Sequence, residues 1–336
     1  MDKKLNIGVI GLGLIGSLHA RILHELPNAN LVGVADVDEA RARDYGKAFS
    51  CDAYRDYQDL LNRPDLDAVS ICVPEEYHVP PAVAAAKAGK HILIEKPIAK
   101  TVREAREIES AVKAAGVRLM VAHVLRFDPR YVQLHDAIAR GDLGEPISLR
   151  VKRNNPVMSA QRLKGRVSLL YFLGVHDIDL IRWYAGADVT QVYAQKVSKL
   201  NAPIGCEDSV IAVFNFANGA IGSVELSWAL PNNIPSGIYS VAEVVGTKGA
   251  GYVNIFDQGL QLYPSESAAT FPDTLHWPEI NNVIVGDLRD ELAHFVQKTL
   301  DGGEYAMPTE DAIKAVAAIE ACFESINSGM PVKVKY

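Results

Sequence analysis

The stretch LNIGVIGLGLIG, residues 5–16, decides the fold of this chain. Its first half is an apolar run typical of a buried strand, and its second half is a glycine-rich turn that leads into a helical segment. Gly11 permits the tight turn, Gly13 lets the backbone approach a pyrophosphate, and Gly16 allows close packing of helix on strand. The anion would lie at the positive N-terminus of the helix. The stretch therefore predicts a dinucleotide-binding turn, with candidate contacts from Gly11, Gly13, Leu14, Ile15 and Gly16.

An acidic residue at the end of the second predicted strand strengthens this prediction. Asp36 lies 20 residues after Gly16, where a carboxylate would accept hydrogen bonds from the hydroxyl groups of an adenosine ribose. The alternative interpretation is a simple glycine turn followed by an aspartate that starts a helix. Because a carboxylate repels a 2′-phosphate, Asp36 favours NAD over NADP, although Arg41 or Arg43 could still bind that phosphate.

The length and the element pattern predict two domains. The chain has 336 residues, more than a single hydrophobic core usually organises. Residues 1–124 alternate short β-rich runs with helical stretches, which predicts an α/β domain with a doubly wound parallel sheet of the Rossmann type. Residues 125–336 contain longer runs with period-two alternation, which predicts an α+β domain with a large, mostly antiparallel open sheet. We expect the first domain to bind the dinucleotide and the second to bind substrate and form oligomers.

Local signals predict where several elements begin and turn. Thr101, with Glu104 three residues later, forms a capping-box pattern at a helix start. Asn218-Gly219 separates two β-rich runs and supplies the positive φ angles of a tight hairpin. One face of the second sheet is predicted to be covered by helices, at Leu169–Tyr184, Gly286–Leu300 and Glu310–Asn327. The other face is a candidate oligomer interface, because both faces of a large sheet with apolar content need cover.

Composition and charge argue against several classes of protein. The formal net charge is −7 and the sequence pI is about 5.7, and the basic residues are scattered, so nucleic acid is not an expected partner. No apolar stretch reaches the roughly 20 residues that span a bilayer, and the apolar N-terminal run coincides with the nucleotide-binding glycines instead of a secretion signal. The four cysteines are far apart and have no neighbouring histidine cluster, so no disulfide framework and no metal site are predicted. We expect a soluble, cytoplasmic protein with reduced thiols.

Polar residues follow two further predicted strands at the carboxyl edge, where open α/β sheets bind ligands. Pro74 and His78 follow one of these strands, and His78 is either a ligand-facing residue or a structural cap. Glu95-Lys96-Pro97 ends the next strand. A lysine there can donate a hydrogen bond to a substrate hydroxyl and stabilise developing alkoxide charge, although many strand-end lysines are simply solvated. Pro97 fixes the following turn and is a candidate for a cis peptide bond.

Together these motifs resemble the glucose-fructose oxidoreductase, inositol dehydrogenase and rhizopine-catabolism (Gfo/Idh/MocA) family. The resemblance spans nearly the whole chain and is carried by the 11–16 turn, Pro74 and His78 before AKAGKH at 86–91, the Glu95-Lys96-Pro97 motif, GVHDID at 174–179 and VGTKG at 245–249. It implies an NAD-dependent oxidoreductase that oxidises a secondary hydroxyl of a cyclic polyol or sugar, resembling an inositol 2-dehydrogenase or a sugar 3-dehydrogenase. It also implies a homodimer or homotetramer formed through the second sheet. The implied cofactor contacts beyond the turn are Asp36, Pro74, His78, Glu95 and Lys96.

The resemblance implies that Lys96 and a histidine on the first long helix of the second domain, His176, flank the substrate. His176 would accept the hydroxyl proton while Lys96 holds the oxygen. This sequence departs from the family pattern at Phe172, where an aspartate often stands one helical turn before the histidine. Asp179, three residues after His176, could orient the imidazole instead, while Asp177 points elsewhere on the helix. The apolar ring of Phe172 predicts a less hydroxylated or differently oriented sugar.

Further substrate-binding candidates are polar side chains near predicted strand ends, namely Arg126, Tyr131, Asn154 and Asn155. The cluster of Arg153, Arg162, Lys164 and Arg166 either recognises a carboxylate or phosphate on the substrate or is a solvated surface. Two other functions stay open. One is an NAD-requiring glycosidase that oxidises C3 transiently without net cofactor turnover. The other is a non-catalytic dinucleotide-sensing regulator on the same fold, which the presence of both Lys96 and His176 disfavours.

Overall fold

A six-stranded parallel sheet organises the first part of the chain. The computed structural model describes residues 3–336 and divides into two units, the first of which runs up to Phe127 and also includes Glu279–Ile313. Apolar runs form its strands, β1 (Leu5–Ile10), β2 (Ala29–Ala35), β3 (Asp52–Tyr54), β4 (Ala68–Ile71), β5 (His91–Glu95) and β6 (Leu119–Ala122). The helices between them are α1 (Leu14–Glu25), α2 (Glu39–Phe49), α3 (Tyr57–Leu61), α4 (Val79–Lys87) and α5 (Val102–Ala115).

The strand order β3-β2-β1-β4-β5-β6 confirms the predicted doubly wound α/β fold. Every neighbouring pair in this sheet is parallel. The order reverses between β1 and β4, so the turns after these strands open at one carboxyl edge, which is where such sheets bind ligands. The predicted capping box is also confirmed, because the Glu104 backbone N–H donates to Thr101 Oγ1 and the Thr101 N–H donates to Glu104 Oε2, each at 3.2 Å.

The second unit, Asp128–Pro278 with Lys314–Tyr336, is built on a larger sheet. Its elements in this part of the chain are α6 (Pro129–Ala139), β7 (Pro146–Pro156), α7 (Val157–Leu163), α8 (Val175–Ala185), β8 (Val189–Val197), β9 (Ser209–Phe216), β10 (Ile221–Leu230), β11 (Tyr239–Gly246) and β12 (Ala250–Asn254). A π-helical turn, Leu170–Gly174, precedes α8. The pair β7 and β10 is parallel and the other pairs are antiparallel, as predicted for a mostly antiparallel sheet.

The chain returns to the first unit near its end, which differs from the predicted division into 1–124 and 125–336. It forms the strands β13 (Glu279–Ile280) and β14 (Val283–Ile284) and the helix α9 (Asp287–Asp301). Leu288, Leu292 and Phe295 form the buried stripe of α9, which packs against α1 and β1. The prediction that this helix covers the second sheet is therefore wrong. Helix α10 (Thr309–Ser328) starts in the first unit and continues in the second, where β15 (Val332–Lys333) completes the order β12-β11-β7-β10-β9-β8-β15.

The predicted hairpin between β9 and β10 forms with a different turn. Gly219 is left-handed at φ +87°, whereas Asn218 is absent from the residues with positive φ. The Gly219 N–H donates to the Phe216 carbonyl at 3.0 Å, and the Phe216 N–H donates to the Ala220 carbonyl at 3.0 Å. An ordinary turn followed by one left-handed glycine matches strand twist as well as a two-residue turn does, so positive φ at Asn218 is not required.

One side of the second sheet exposes large apolar side chains. They alternate along β8, β9 and β10, as period-two strands require, and include Tyr193, Val197, Ile211, Val213 and Ile221. Within residues 3–336, no helix combines the length and the apolar character needed to cross a membrane.

Candidate functional site

The glycine turn after β1 has the geometry of a cradle for a phosphate group. A Cβ on Gly16 would lie 1.9 Å from the Gly11 carbonyl oxygen, so only glycine lets α1 approach the turn this closely. Gly11 has φ +90°, and its Cβ would contact the backbone of Cys72 and Val73. By contrast, a Cβ on Gly13 would meet no protein atom within 4 Å. Gly13 therefore faces open space at the start of α1, where Leu14 and Ile15 carry first-turn amide groups that have no acceptor within the helix.

This contrast allows the packing role and the binding role of the glycines to be separated. We expect Gly13→Ala to fold with a melting temperature close to that of the wild type, but to weaken dinucleotide binding by at least tenfold, because the added methyl group enters the open space. Gly16→Ala should instead destabilise the fold by about 1–3 kcal/mol, because its methyl group clashes with backbone. Thermal unfolding and cofactor titration of both variants check this. Equal effects of the two substitutions on stability would contradict it.

Asp36 holds the turn from the end of β2. Its Oδ2 accepts a hydrogen bond from the Leu12 N–H at 2.7 Å, and its Oδ1 accepts one from the Asp38 N–H at 2.8 Å. Arg41 lies beside it, with Nη1 3.5 Å from Asp36 Oδ2. The neighbouring Val37 side chain is 87% exposed, an apolar surface of the kind that an adenine ring covers.

The two residues predicted to follow β4 have distinct positions. Pro74 starts a short 3₁₀ turn, Glu75–Tyr77. His78 is 1% exposed, with Nδ1 2.9 Å from the Pro97 carbonyl and Nε2 2.9 Å from the Val73 carbonyl. Burial lowers the pKa of His78 more than its carbonyl contacts raise it. These contacts join the ends of β4 and β5, which favours the structural-cap interpretation of His78 over direct cofactor contact.

The Glu95-Lys96-Pro97 motif begins at the last residue of β5 and lies at the same edge as the glycine turn, because all six strands are parallel. The Lys96–Pro97 peptide bond, a candidate for the cis form from the sequence, is cis. Glu95 Oε2 accepts a hydrogen bond from the Lys96 N–H at 3.2 Å. The structure thus gathers the glycine turn, Asp36, Glu95 and Lys96 at one edge of the first unit.

His19 and Glu291 complete a buried cluster around Glu95 that sequence reasoning missed. His19 Nε2 lies 3.3 Å from Glu95 Oε1, and His19 Nδ1 lies 2.8 Å from Ser70 Oγ. Burial alone would lower the pKa of His19, but its contacts with Cys72 and Glu95 raise it well above the usual value. Burial would raise the pKa of Glu95, and the His19 contact lowers it overall. We call His19, Glu95 and Glu291 the acid cluster.

The second unit places His176 in the first turn of α8, directly after the π-helical turn. Single π-helical turns occur frequently at functional sites. Phe172 lies in that turn, and its ring centroid is 5.6 Å from that of the buried Trp228. Asp179 is 2% exposed on α8. Its predicted role in orienting His176 stays a prediction.

Asp177, the residue after His176, binds Arg153. Arg153 Nε lies 2.9 Å and 3.1 Å from the two Asp177 carboxylate oxygens, and both side chains are nearly buried. Arg153 therefore braces β7 against α8 and is not part of a solvated basic cluster. Asn154, one residue later, donates to Glu225 Oε1 at 3.3 Å, while its buried Oδ1 accepts no hydrogen bond. That oxygen remains a candidate substrate contact in the second unit.

Arg126 and Tyr131, two other candidates, have structural partners. Arg126 is 6% exposed, and its Nη2 donates to Asp311 Oδ2 at 3.0 Å within the first unit. Tyr131 is fully buried, and its hydroxyl lies 3.3 Å from Ser240 Oγ within the second unit. This geometry favours packing roles for both residues over contact with a substrate.

Two family models match the chain. One, described as an oxidoreductase family with an NAD-binding Rossmann fold, matches residues 5–123, and the other, the GFO/IDH/MocA C-terminal domain, matches residues 131–251. Among curated proteins, a myo-inositol 2-dehydrogenase from Thermotoga maritima is 31% identical, and the match covers 98% of this chain and 99% of that protein. The NAD⁺-dependent scyllo-inositol 2-dehydrogenase of Bacillus subtilis is 28% identical over 99% of this chain and 97% of its own.

A solved structure shares the whole architecture. The crystal structure of GenD2 from gentamicin A biosynthesis, in complex with NAD, is 26% identical to this chain and has a TM-score of 0.88. The match covers 100% of this chain and 98% of that one.

Proposed function

Because this chain belongs to the Gfo/Idh/MocA oxidoreductase family, we propose that it is an NAD-dependent dehydrogenase that oxidises a secondary hydroxyl group of a cyclic polyol or sugar. One observation carries the proposal. The open cradle at Gly13 and the carboxylate of Asp36 lie at the same sheet edge as Lys96. This is the arrangement in which an anchored dinucleotide and a proton-handling side chain can serve one reaction.

The residues of the first unit fit NAD. The cradle accepts the pyrophosphate at the start of α1, and Asp36 offers acceptors to the ribose hydroxyl groups. When bound, NAD supplies the hydride acceptor. Lys96 donates a hydrogen bond to the substrate oxygen and stabilises the negative charge that develops there. The imidazole of His176 accepts the hydroxyl proton, and Asp179 is proposed to orient that ring.

Phe172 is proposed to shape substrate choice. Its ring packs against Trp228, so this side of the helix offers an apolar surface. In the family pattern an aspartate often stands at this position, and its carboxylate would bind hydroxyl groups of the substrate. A substrate with fewer hydroxyl groups on the matching face loses fewer hydrogen bonds to water on binding. We therefore expect preference for a less hydroxylated or differently oriented sugar over myo-inositol.

Asp36 is expected to set the cofactor preference. We expect Asp36→Ala to weaken NAD binding by about tenfold to a hundredfold, because charge-assisted hydrogen bonds are lost. The same variant should bind NADP better than the wild type does, because Arg41 is released from its carboxylate partner. Titration of both cofactors by nicotinamide fluorescence measures this. The matched control is Asp36→Ala/Arg41→Ala, which should lose the gain in NADP binding. Unchanged discrimination between NAD and NADP in Asp36→Ala would refute the assignment.

Location and assembly are proposed on separate grounds. The apolar side chains exposed on β8, β9 and β10 support a homodimer or homotetramer formed through that sheet face. The dependence on NAD supports a cytoplasmic location. Light scattering of the purified chain tests the assembly, and a monomer at micromolar concentration would refute it.

A spectrophotometric screen tests the function. Inositols, aldoses, glucosides and uronates are each supplied with NAD and NADP in parallel, and absorbance of the reduced nicotinamide is followed. We expect NADH to accumulate with at least one polyol or sugar. Release of free sugar from a glucoside without accumulation of NADH would indicate the glycosidase alternative. Cofactor binding without turnover of any compound would indicate the regulator.

A further inference from the structure

One carboxyl group of the acid cluster, that of Glu291, is buried and forms no hydrogen bond. Glu291 lies on α9 with 0% exposure, and both of its carboxylate oxygens are buried without a hydrogen-bond partner. One imidazole nitrogen of His19 and one carboxylate oxygen each of Glu95 and Glu291 lie within 4.8 Å of one another. All three residues belong to the first unit. Glu291 therefore adds a second carboxyl group to the pair formed by Glu95 and His19. Glu95 directly precedes Lys96 in the chain.

Glu95 and Glu291 cannot both be ionised at low energetic cost, because their carboxyl groups lie in a buried setting and have oxygens within 4.8 Å of each other. With Glu95 and Glu291 both negative and His19 positive, the cluster would carry a net negative charge away from water. One proton on the carboxyl pair makes the cluster neutral. Burial and the nearby charges of Glu95 and Asp287 raise the pKa of Glu291 well above its usual value, and His19 and Lys96 oppose this effect only in part.

The hydrogen bonds decide which carboxyl group holds the proton. Glu95 accepts from the Lys96 N–H, contacts His19 and has a side chain that is 15% exposed. These donors stabilise a carboxylate. Glu291 has no such donor. Of the groups around the cluster, Ser70 and Cys72 contact His19, and His78 acts on Glu95 only through its charge.

We propose that Glu291 is a protonated carboxylic acid that shares its proton with Glu95, and that it is a positioning residue for Lys96. As an acid, Glu291 gains a hydroxyl donor for the carboxylate of Glu95, whose oxygen lies within 4.8 Å and which accepts the Lys96 backbone N–H. A single negative charge rather than two then lies near the lysine. The link to Lys96 rests on the proposed function. The protonation of Glu291 does not.

Two substitutions separate a protonated acid from an ionised one. Glutamine keeps a donor of the same shape and has no charge, so Glu291→Gln should retain kcat within about twofold at pH 7. Leucine removes the donor, so Glu291→Leu should lower kcat by about tenfold or more, with the dissociation constant for NAD within about threefold of the wild type. Asp290→Asn, an exposed neighbour on the same helix, is the matched control and should change neither. Loss of activity in Glu291→Gln to the level of Glu291→Leu would overturn the proposal.

The pH dependence of stability gives a readout that does not need activity. An acid whose pKa is raised by folding stabilises the fold below its unfolded pKa, and that contribution is lost as the pH rises toward the folded pKa. The melting temperature of the wild type should therefore fall relative to that of Glu291→Gln between pH 5 and pH 8. A constant difference, or one of opposite sign, would overturn the proposal.

Infrared difference spectroscopy and metal analysis complete the test. A protonated carboxyl C=O band should be present in the wild type at pH 7 and absent from Glu291→Gln. The lack of this band, or a stoichiometric metal ion in the wild type that Glu291→Gln loses, would show that Glu291 is ionised. If no polyol or sugar is turned over, the proposed function fails, but the infrared and stability measurements still decide the state of Glu291.

Discussion

Lys96→Ala is expected to lower kcat by about a thousandfold while the dissociation constant for NAD stays within about threefold of the wild-type value. The expected loss lies within the range that a positioned proton-handling group contributes to a rate. The side chain acts on the oxygen of the reacting carbon, whereas the cofactor is anchored by the glycine turn and Asp36, which alanine at this position leaves intact. Steady-state kinetics with the best substrate of the screen and a cofactor titration measure the two effects separately.

A lysine elsewhere in the first unit provides the control for this variant. The Lys113 side chain is 72% exposed on α5 and pairs with Glu109, so Lys113→Ala should leave kcat and cofactor binding unchanged. Lys96→Ala with wild-type kcat would remove Lys96 from the mechanism. Equal losses in kcat and in NAD binding would mean that Lys96 mainly supports the cofactor site.

The sequence was sufficient for the first unit wherever the signal is local. The glycine turn, the capping box at Thr101 and the strand-end Asp36 each depend on neighbouring residues, and the structure has all three. The family that the sequence resembles is confirmed by the two matching models. The return of α9 to the first unit was not predictable in this way, because its apolar stripe would fit either sheet equally well. Glu291 was missed for that reason.

Burial explains the other differences. His78, Arg126 and Tyr131 were selected because they follow strands or lie close to them, and a position at a strand end does not reveal whether a side chain faces the ligand or the core. In the structure their polar atoms have partners in the protein. His19 is the opposite case, because it was not selected from the sequence and yet belongs to the buried cluster beside Glu95. It is the third residue after Gly16, on the face of α1 that is buried against the sheet, where an imidazole requires acceptors.

The proton acceptor is expected to be visible in a pH profile. His176→Asn should lower kcat by about a hundredfold to a thousandfold, because asparagine keeps a polar side chain of similar size but accepts no proton at neutral pH. In the wild type, kcat/KM should fall toward acidic pH as an imidazole becomes protonated, and this acid limb should vanish in His176→Asn. His135→Asn is the matched control in the second unit, because His135 lies on α6 stacked on Trp183 with a centroid distance of 3.9 Å. It should keep both the rate and the acid limb. An acid limb that persists in His176→Asn would assign the titration to another group and would remove His176 as the base.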